Sequence, residues 1–270
     1  MRRLSSHETQ AALERIGIDK ARAPAFAYDD PAKQVRYEFH THSKHQLLYS
    51  FSGTIYLETK AGFWMLPPQR AAWIPCGVRH ATTLKNVRAH SLYFAPRQFP
   101  SLSPDIQIVS VTPLLREMIL YAMQWQVNAT GVDRFSRQYF AVLSQLLRKH
   151  ADYEAAFQLP RPKSVPMAQA VDYFLEDVGQ AALTVAARRA NCSVRTFRRK
   201  FQDELGLTWK DFVHNGRMFK AMELLTTGMN VTEVSLAVGF NSLSAFSKAF
   251  RRFTRENPQD FRNRSVSPSK

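Results

Sequence analysis

Residues 183–212 read LTVAARRANCSVRTFRRKFQDELGLTWKDF, and residues 231–262 read VTEVSLAVGFNSLSAFSKAFRRFTRENPQDFR. With Phe197 laid on Phe246, one offset also brings Phe201 to Phe250, Arg199 to Lys248, Ser193 to Ser242, Thr208 to Asn257 and Phe212 to Phe261. Self-similarity of this kind marks two copies of one supersecondary unit. In the first copy Leu183, Ala186, Ala187 and Ala190 recur at helical spacing, with alanine where two helices must approach closely. Asn191 tolerates the left-handed backbone of a sharp turn, and Ser193 is placed to cap the next helix. Phe197 and Phe201 share the inner face, while Arg195, Arg198 and Arg199 lie away from it. The second copy repeats the plan: Val231, Val234, Ser235 and Val238, the turn Gly239-Phe240-Asn241, then Ser242 as cap. Phe246 and Phe250 face inward; Ser244, Ser247, Lys248 and Arg251 face outward. Between the copies, Phe212 to Leu225 reads as one amphipathic connecting helix that Gly228 ends. Short helix, tight turn and second helix with a basic face is the plan that lays one helix in a DNA major groove. A basic helix face by itself is usually only a solvated face, and a Phe pair at i, i+4 is ordinary core. The coincidence of every feature in both copies is what points to nucleic acid.

Length and charge agree without locating the site. A chain of 270 residues favours two domains, and a formal charge of +15 suits a polyanionic partner. The excess is spread: 18 Lys/Arg face 10 Asp/Glu from residue 161 onward, and 19 face 12 before it. Two cysteines without paired spacing, Cys76 and Cys192, suit a reduced cytosolic protein, with Cys192 as a small buried filler. No apolar run approaches ~20 residues, and MRRLSSHETQAALERIG lacks the apolar core of a signal peptide. The expectation is a cytoplasmic, nucleoid-associated protein with no membrane partner.

The string AVGFNSLSAFSKAFRRFTRENPQDFR carries a family resemblance. It resembles the DNA-binding domain of the arabinose-regulator (AraC/XylS) family, with its pattern A-x-x-x-G-F-x-x-x-x-x-F-x-x-x-F followed by P-x-x-[FY]-R. The resemblance implies two helix-turn-helix units, joined by one long helix, reading successive major-groove segments. It places base reading at Arg195, Arg198 and Arg199 in the first copy and at Ser244, Ser247 and Lys248 in the second. Lys200 and Arg251 join these as DNA contacts, Lys200 holding phosphate. Asn191 stands where small residues or Gly are frequent in the family, and Ser235 replaces a common Ala; both are small enough to keep the fold.

Residues 34–95 read differently. Short β-prone runs (Val35 to Phe39, Gln46 to Phe51, Thr54 to Thr59, Phe63 to Leu66, Ala71 to Ile74, His90 to Phe94) are broken by Gly53, Gly62, Pro67-Pro68 and Pro75-Cys76-Gly77. That spacing suggests a barrel or jelly roll. On a strand His40, His42 and, if the strand persists, Gln46 would share a face, with His45 on the other. His40-x-His42-x-x-x-Gln46 and Pro75-x-Gly77-x-x-His80 resemble the two motifs of a cupin, whose three His and one Glu bind a divalent metal. The resemblance implies His40, His42 and His80 as ligands, with Gln46 in the carboxylate position. A neutral amide is a poorer ligand, yet three imidazoles still suffice for Zn, Ni, Co or Fe. Trp64, Trp73, Phe63, Phe51 and Tyr49 read as core or barrel wall. HQLLYSFSG with GFWMLPPQRAAWIPCGVRH also resembles a sensor domain recurring in one branch of the same regulator family.

Residues 112–127 and 133–150 read as two antiparallel amphipathic helices, with Asp133 as cap, that cover the barrel or pair with a second subunit. Three prolines within 158–166 favour an extended spacer. The expected organisation is α+β and multidomain: a cupin or jelly-roll β-barrel over 1–110 and a helical hairpin over 111–157. After the linker, 158–166, come an all-α domain with two helix-turn-helix units, 167–263, and a disordered tail, 264–270. The function this implies is an effector-responsive regulator binding promoter DNA as a homodimer. Its cupin would sense a small molecule or metal, and RNA polymerase would be a further partner. The rival is a metal-dependent cupin oxygenase or isomerase fused to a DNA-binding domain, for which Glu38 is a lone acid–base candidate.

Overall fold

The computed structural model describes residues 2–30, 34–60, 62–66, 70–127, 133–149 and 158–266. The expected Pro67-Pro68 turn, the 128–131 connection, residues 150–157 and the last four tail residues lie outside these. The chain divides into two compact units, Met1–Lys60 with Trp64–Ala155, and Ala61–Phe63 with Ala156–Lys270.

The first unit contains β1 (Arg2–Arg3), α1 (Ser6–Ile16), β2 (Ala25–Asp30), β3 (Gln34–His40), β4 (His45–Glu58), β5 (Gly62–Leu66, of which Gly62 and Phe63 belong to the second unit), β6 (Arg70–Ile74), β7 (His80–Phe94), β8 (Gln107–Ser110), α2 (Pro113–Ala122) and α3 (Arg134–Lys149). Strand β7 is the spine. Along one edge β2 and β3 lie end to end in a single register, from Ala25 opposite Phe94 to Asp30 opposite Ala89, and from Gln34 opposite Lys85 to Tyr37 opposite Thr82. Along the other edge β4 runs from His45 opposite Phe94 to Glu58 opposite Ala81. β6 adds to β4 and β8 to β6, while the short β1 adds parallel to β3. Among the described residues the pairings run from edge strand to edge strand without closing, so this is a β-rich domain without barrel closure.

Alternation along these three long strands separates two faces. Ala27, Leu47 and Leu92 stand side by side on one, and with Trp73, Phe94 and the buried sides of α2 and α3 (Leu115, Ile119, Phe140, Leu143) form the main hydrophobic core. On the other face polar and apolar residues mix: Gln46 with Tyr93 and Phe26, then Leu48 with Ser91 and Tyr28, and Phe26 and Tyr93 join Ile18 in a smaller apolar cluster.

Several boundaries differ from the sequence reading. β4 runs unbroken through the expected stop at Gly53, its pairing merely slipping between Ser50 and Thr54; a glycine within a strand accommodates such a slip. β7 begins at His80 rather than His90, because β3 and β4 give it partners along its whole length. α2 ends at Ala122, short of 127, because the chain beyond it bonds to β2: Ala27 N donates to Trp125 O at 2.7 Å. Tyr139 Oη donates to Met118 O at 2.7 Å and Trp125 packs on Phe135, so α2 and α3 are antiparallel as expected. Asp133 caps α3, accepting from Ser136 N at 2.7 Å.

The second unit contains β9 (Gln158–Pro160), α4 (Val165–Glu176), α5 (Leu183–Arg189), α6 (Val194–Leu205), α7 (Trp209–Thr226), α8 (Val231–Ala237), α9 (Leu243–Thr254) and α10 (Pro258–Val266). The spacer of the sequence reading is extended only over β9; helix begins at Val165. Helix also persists through Val266, where a tail was expected from 264. Phe197 and Phe201 are fully buried against Trp209 and Phe212, and Phe250 packs on Phe261. Ser193, Thr208 and Ser242 accept from the N3 amides of α6, α7 and α9, each cap being worth about 1 kcal/mol. Left-handed residues follow α6 and α9 at equivalent places, Gly206 (φ 75°) and Arg255 (φ 70°). The repeat is not uniform before the caps: α5 and α8 correspond at an offset of 48, whereas α6 and α9 correspond at 49. The second turn is therefore one residue longer, and its left-handed residue is Gly239 (φ 78°) where the first uses Asn191 (φ 51°).

Candidate functional site: two exposed helix faces and a histidine cluster

Helix α6 turns Phe197, Phe201 and Leu205 to the core and leaves Arg195, Arg198, Arg199 and Lys200 exposed. On α9 Phe246 and Phe250 are buried, Ser244, Lys248 and Arg251 exposed and Ser247 half-buried. At 3.6 residues per turn, Arg199 and Lys248 stand opposite their Phe pairs, at the crest of each helix, while Lys200 lies well round the flank. Arg199 makes only a loose pair with Asp203, 3.6 Å away with both side chains more than half exposed, an arrangement worth little in water. Ser242 and Ser244 share a hydroxyl contact of 2.8 Å at the start of α9. Leu243, which the sequence reading passed over, is 44% exposed on that first turn; its signal was an apolar residue just after a cap, outside the Phe stripe. Cys192, expected to be buried in the first turn, is half-exposed. A cleft of about 760 Å³ runs beside α7, lined by Arg198, Lys210, His214, Arg217 and Phe240 among others.

In the first unit His40, His42 and His80 come together, with ring centroids 4.4, 5.1 and 6.2 Å apart. Strand alternation does not achieve this. β3 stops at His40, and His42 reaches the cluster from the loop before β4. His45 does lie apart, accepting from Cys76 N at 3.0 Å and packing on Trp73. Each clustered ring turns Nδ1 to a carbonyl two residues away: His40 to Glu38 O (2.8 Å), His42 to Lys44 O (2.6 Å), His80 to Val78 O (2.9 Å). In His40 and His80 an Nδ1–H donated to the carbonyl leaves Nε2 with its lone pair, whereas His42 faces an accepting oxygen at each ring nitrogen. His42 Nε2 meets Gln46 Oε1 at 3.0 Å, and Gln46 Nε2 donates to Ser91 Oγ at 2.8 Å. His80 Nε2 is buried and has no hydrogen-bond partner. Burial keeps the three rings neutral: it lowers His40 to about 4, lowers His42, and takes His80 well below the usual imidazole value.

His40 and Gln46 border a cavity of only about 40 Å³, whose wall includes Tyr28, Tyr37, Tyr93 and Ser91, with Leu13 and Ile16 of α1 across it. The sequence reading found none of these wall residues. Ser5-x-x-Glu8, the capping box that starts α1, and the alternation Ala25-Phe26-Ala27-Tyr28 were the signals available. As they stand, the described His, Cys, Asp and Glu side chains include no group of three set to hold a metal ion. His40 and His80 keep Nε2 lone pairs, while His42 Nε2 is engaged by Gln46 Oε1. Glu38, the lone acid–base candidate of the enzyme rival, accepts from Arg36 Nε at 2.9 Å and Arg3 Nε at 3.0 Å. The Arg36 bond holds its carboxyl below the usual range. No helix among the described residues is long and apolar enough to cross a membrane.

Comparison with known proteins separates the same two halves. Residues 24–159 match the AraC-like ligand binding domain and residues 186–264 a helix-turn-helix domain. The transcriptional regulator NimR of Escherichia coli (strain K12) is 25% identical over 250 residues, covering 91% of this chain and 90% of NimR. The transcriptional activator RhaS of Salmonella arizonae is 32% identical over 124 residues, 46% of this chain and 44% of RhaS. Among solved structures ToxT from Vibrio cholerae aligns over 90% of this chain and 98% of its own, at 13% identity and a TM-score of 0.38. With a ligand-binding domain matched over half its length and a duplicated helix-turn-helix behind it, the chain belongs to the AraC family of DNA-binding transcription regulators.

Proposed function

We propose that α6 and α9 read two segments of promoter DNA, and that the histidine cluster of the first unit receives the effector that governs this binding. The exposed crests carry the DNA reading. Arg199 and Lys248 stand furthest from the core, flanked by Arg195, Arg198, Ser244 and Ser247, and an arginine there can pair bidentately with guanine O6 and N7, a contact worth about 1–3 kcal/mol of discrimination. Leu243 is placed for a thymine methyl. Lys200 and Arg251 serve phosphates. Arg199→Ala should relax base preference at one position on a panel of single-base variants, whereas Lys200→Ala should weaken binding to all of them alike and reduce its salt dependence. Unaltered base preference in Arg199→Ala would remove its assigned role.

For the effector, the reading favoured is a divalent cation, Zn, Ni, Co or Fe, held by His40, His42 and His80 with Gln46 beside it. The supporting observation is the clustering of the three rings, with the Nδ1–carbonyl bonds of His40 and His80 leaving Nε2 as a ready donor and His42 Nε2 released once Gln46 turns aside. Held there, a cation would supply positive charge, with His40 of β3, His80 of β7 and His42 of the loop before β4 as its holders. Titration of the metal-free protein with Co(II), followed by its visible absorption, should give one site per chain, lost in His80→Ala. Equal cobalt spectra for both proteins would leave an organic molecule as the effector. Assembly follows from the hairpin: Leu114, Tyr121, Phe135 and Val142, each at least half exposed, line antiparallel helices. A second copy of the chain covers such a face in a self-complementary way and doubles the DNA contacts. RNA polymerase is the further partner of the DNA-bound dimer. These roles presume the cytoplasm.

A further inference from the structure

The two helix-turn-helix units meet at one small junction, and Arg217 of the central helix α7 occupies it. Its Nε donates to Val178 O at 3.0 Å and one terminal nitrogen donates to Gly179 O at 2.9 Å. Val178 and Gly179 lie in the loop that enters α5, the first helix of the first unit; Asp177 steadies that loop by accepting from Gly179 N at 2.9 Å. Against the same loop lies the turn of the second unit. A Cβ on Gly239 would fall 2.5 Å from Gly179 O and 2.7 Å from the Arg217 guanidinium, and a Cβ on Gly179 would fall 3.2 Å from Ala237 O. Gly239 also holds φ at 78°. Two backbones and a guanidinium thus touch where no side chain fits. Elsewhere the units are fastened chiefly to α7: α6 through the Phe197, Phe201 and Trp209 rings, α8 and α10 by packing.

We propose that Arg217, with Gly179 and Gly239, is a positioning device that fixes the spacing at which the two recognition helices read DNA. The proposal rests on the two-unit reading above. A guanidinium that bridges two successive carbonyls resists rotation of the loop about α7, because its donors are held in one plane. Successive base pairs advance about 3.4 Å along the helix, so loosening this junction lets the second helix meet its segment one step out of place.

The test uses the full chain and a duplex selected by the wild-type protein from a random-sequence pool. Companion duplexes have either segment scrambled, or one base pair inserted or removed between the segments. Arg217→Ala should lose at least tenfold in affinity on the selected duplex and less than twofold on either single-segment duplex. Its penalty for one inserted base pair should be smaller than the wild type's. Loss of equal size on one-segment and two-segment duplexes, or an unchanged insertion penalty, would overturn the proposal. Arg217→Lys keeps stem and charge but cannot bridge both carbonyls in a plane; it should behave like the alanine variant, and covers the case in which that variant does not fold. A wild-type chain indifferent to the second segment would overturn the two-unit reading itself, an outcome visible before any variant is made.

Discussion

At the scale of single residues, the DNA-binding half is held by polar side chains that finish backbone ends. Glu204, late in α6, accepts from the amides of Lys163 and Ser164 and from Ser164 Oγ at 2.7 Å, so it closes the start of α4 from a distance of forty residues. Burial alone would raise its pKa, but the bonds from Ser164 outweigh this and lower it. A carboxylate whose folded pKa lies below its unfolded one stabilises the fold above the unfolded value, and that contribution disappears as pH falls through the folded value. Glu204→Gln should therefore cost about 1 kcal/mol near neutral pH, a charged bond discounted for its nearness to solvent. Thermal melts should show the gap from wild type closing below about pH 4. A gap that stays constant with pH would mean that the charge on Glu204 contributes nothing. The residue equivalent to Gly206, Arg255, holds a left-handed backbone without being glycine, so the repeat preserves the conformation and not the residue type.

At the scale of elements, close approach decides what a helix can carry. α7 has Gly216 where the Phe174 ring of α4 lies against it; an added Cβ would come within 2.4 Å of the ring. Phe174 is fully buried and packs on Trp209 and Phe212, so it has little room to withdraw. Gly216→Ala should destabilise the domain by about 1–3 kcal/mol even though alanine is the better helix former; chemical denaturation measures it, and a gain in stability would show that the ring moves freely. The helix-turn-helix elements were legible because their periodicity, turns and caps are local, and Ser193, Phe197 and Phe201 lie where the pattern places them. Strand β2 and the length of β7 were not legible in this way. Both depend on partners distant in sequence, since β7 is a strand from His80 only because β3 and β4 flank it there.

At the scale of the molecule, the proposed dimer contact on the hairpin can be tested through its effect on DNA affinity. Leu114 and Val142 are 59% and 50% exposed on antiparallel helices. A charge at each should repel the same charge on a partner without disturbing the core beneath. The double variant Leu114→Glu, Val142→Glu should sediment as a monomer at concentrations where the wild type is a dimer, and should bind a two-site promoter with affinity reduced by tenfold or more. A wild-type monomer under the same conditions would place the apolar stripe in another role.

The repeat, its caps and its basic crests were determined by the sequence itself, because helical periodicity and capping act over a few residues and leave a local trace. So was the choice of His40, His42 and His80, through a motif. Folding alone decided the rest: that His42 joins from a loop, that all three rings are locked through Nδ1, that α1 faces the cavity, and that Arg217 bridges Val178 and Gly179. Those contacts join residues far apart in the chain or at unpatterned backbone carbonyls, and no short-range spacing encodes which carbonyl a buried donor will meet.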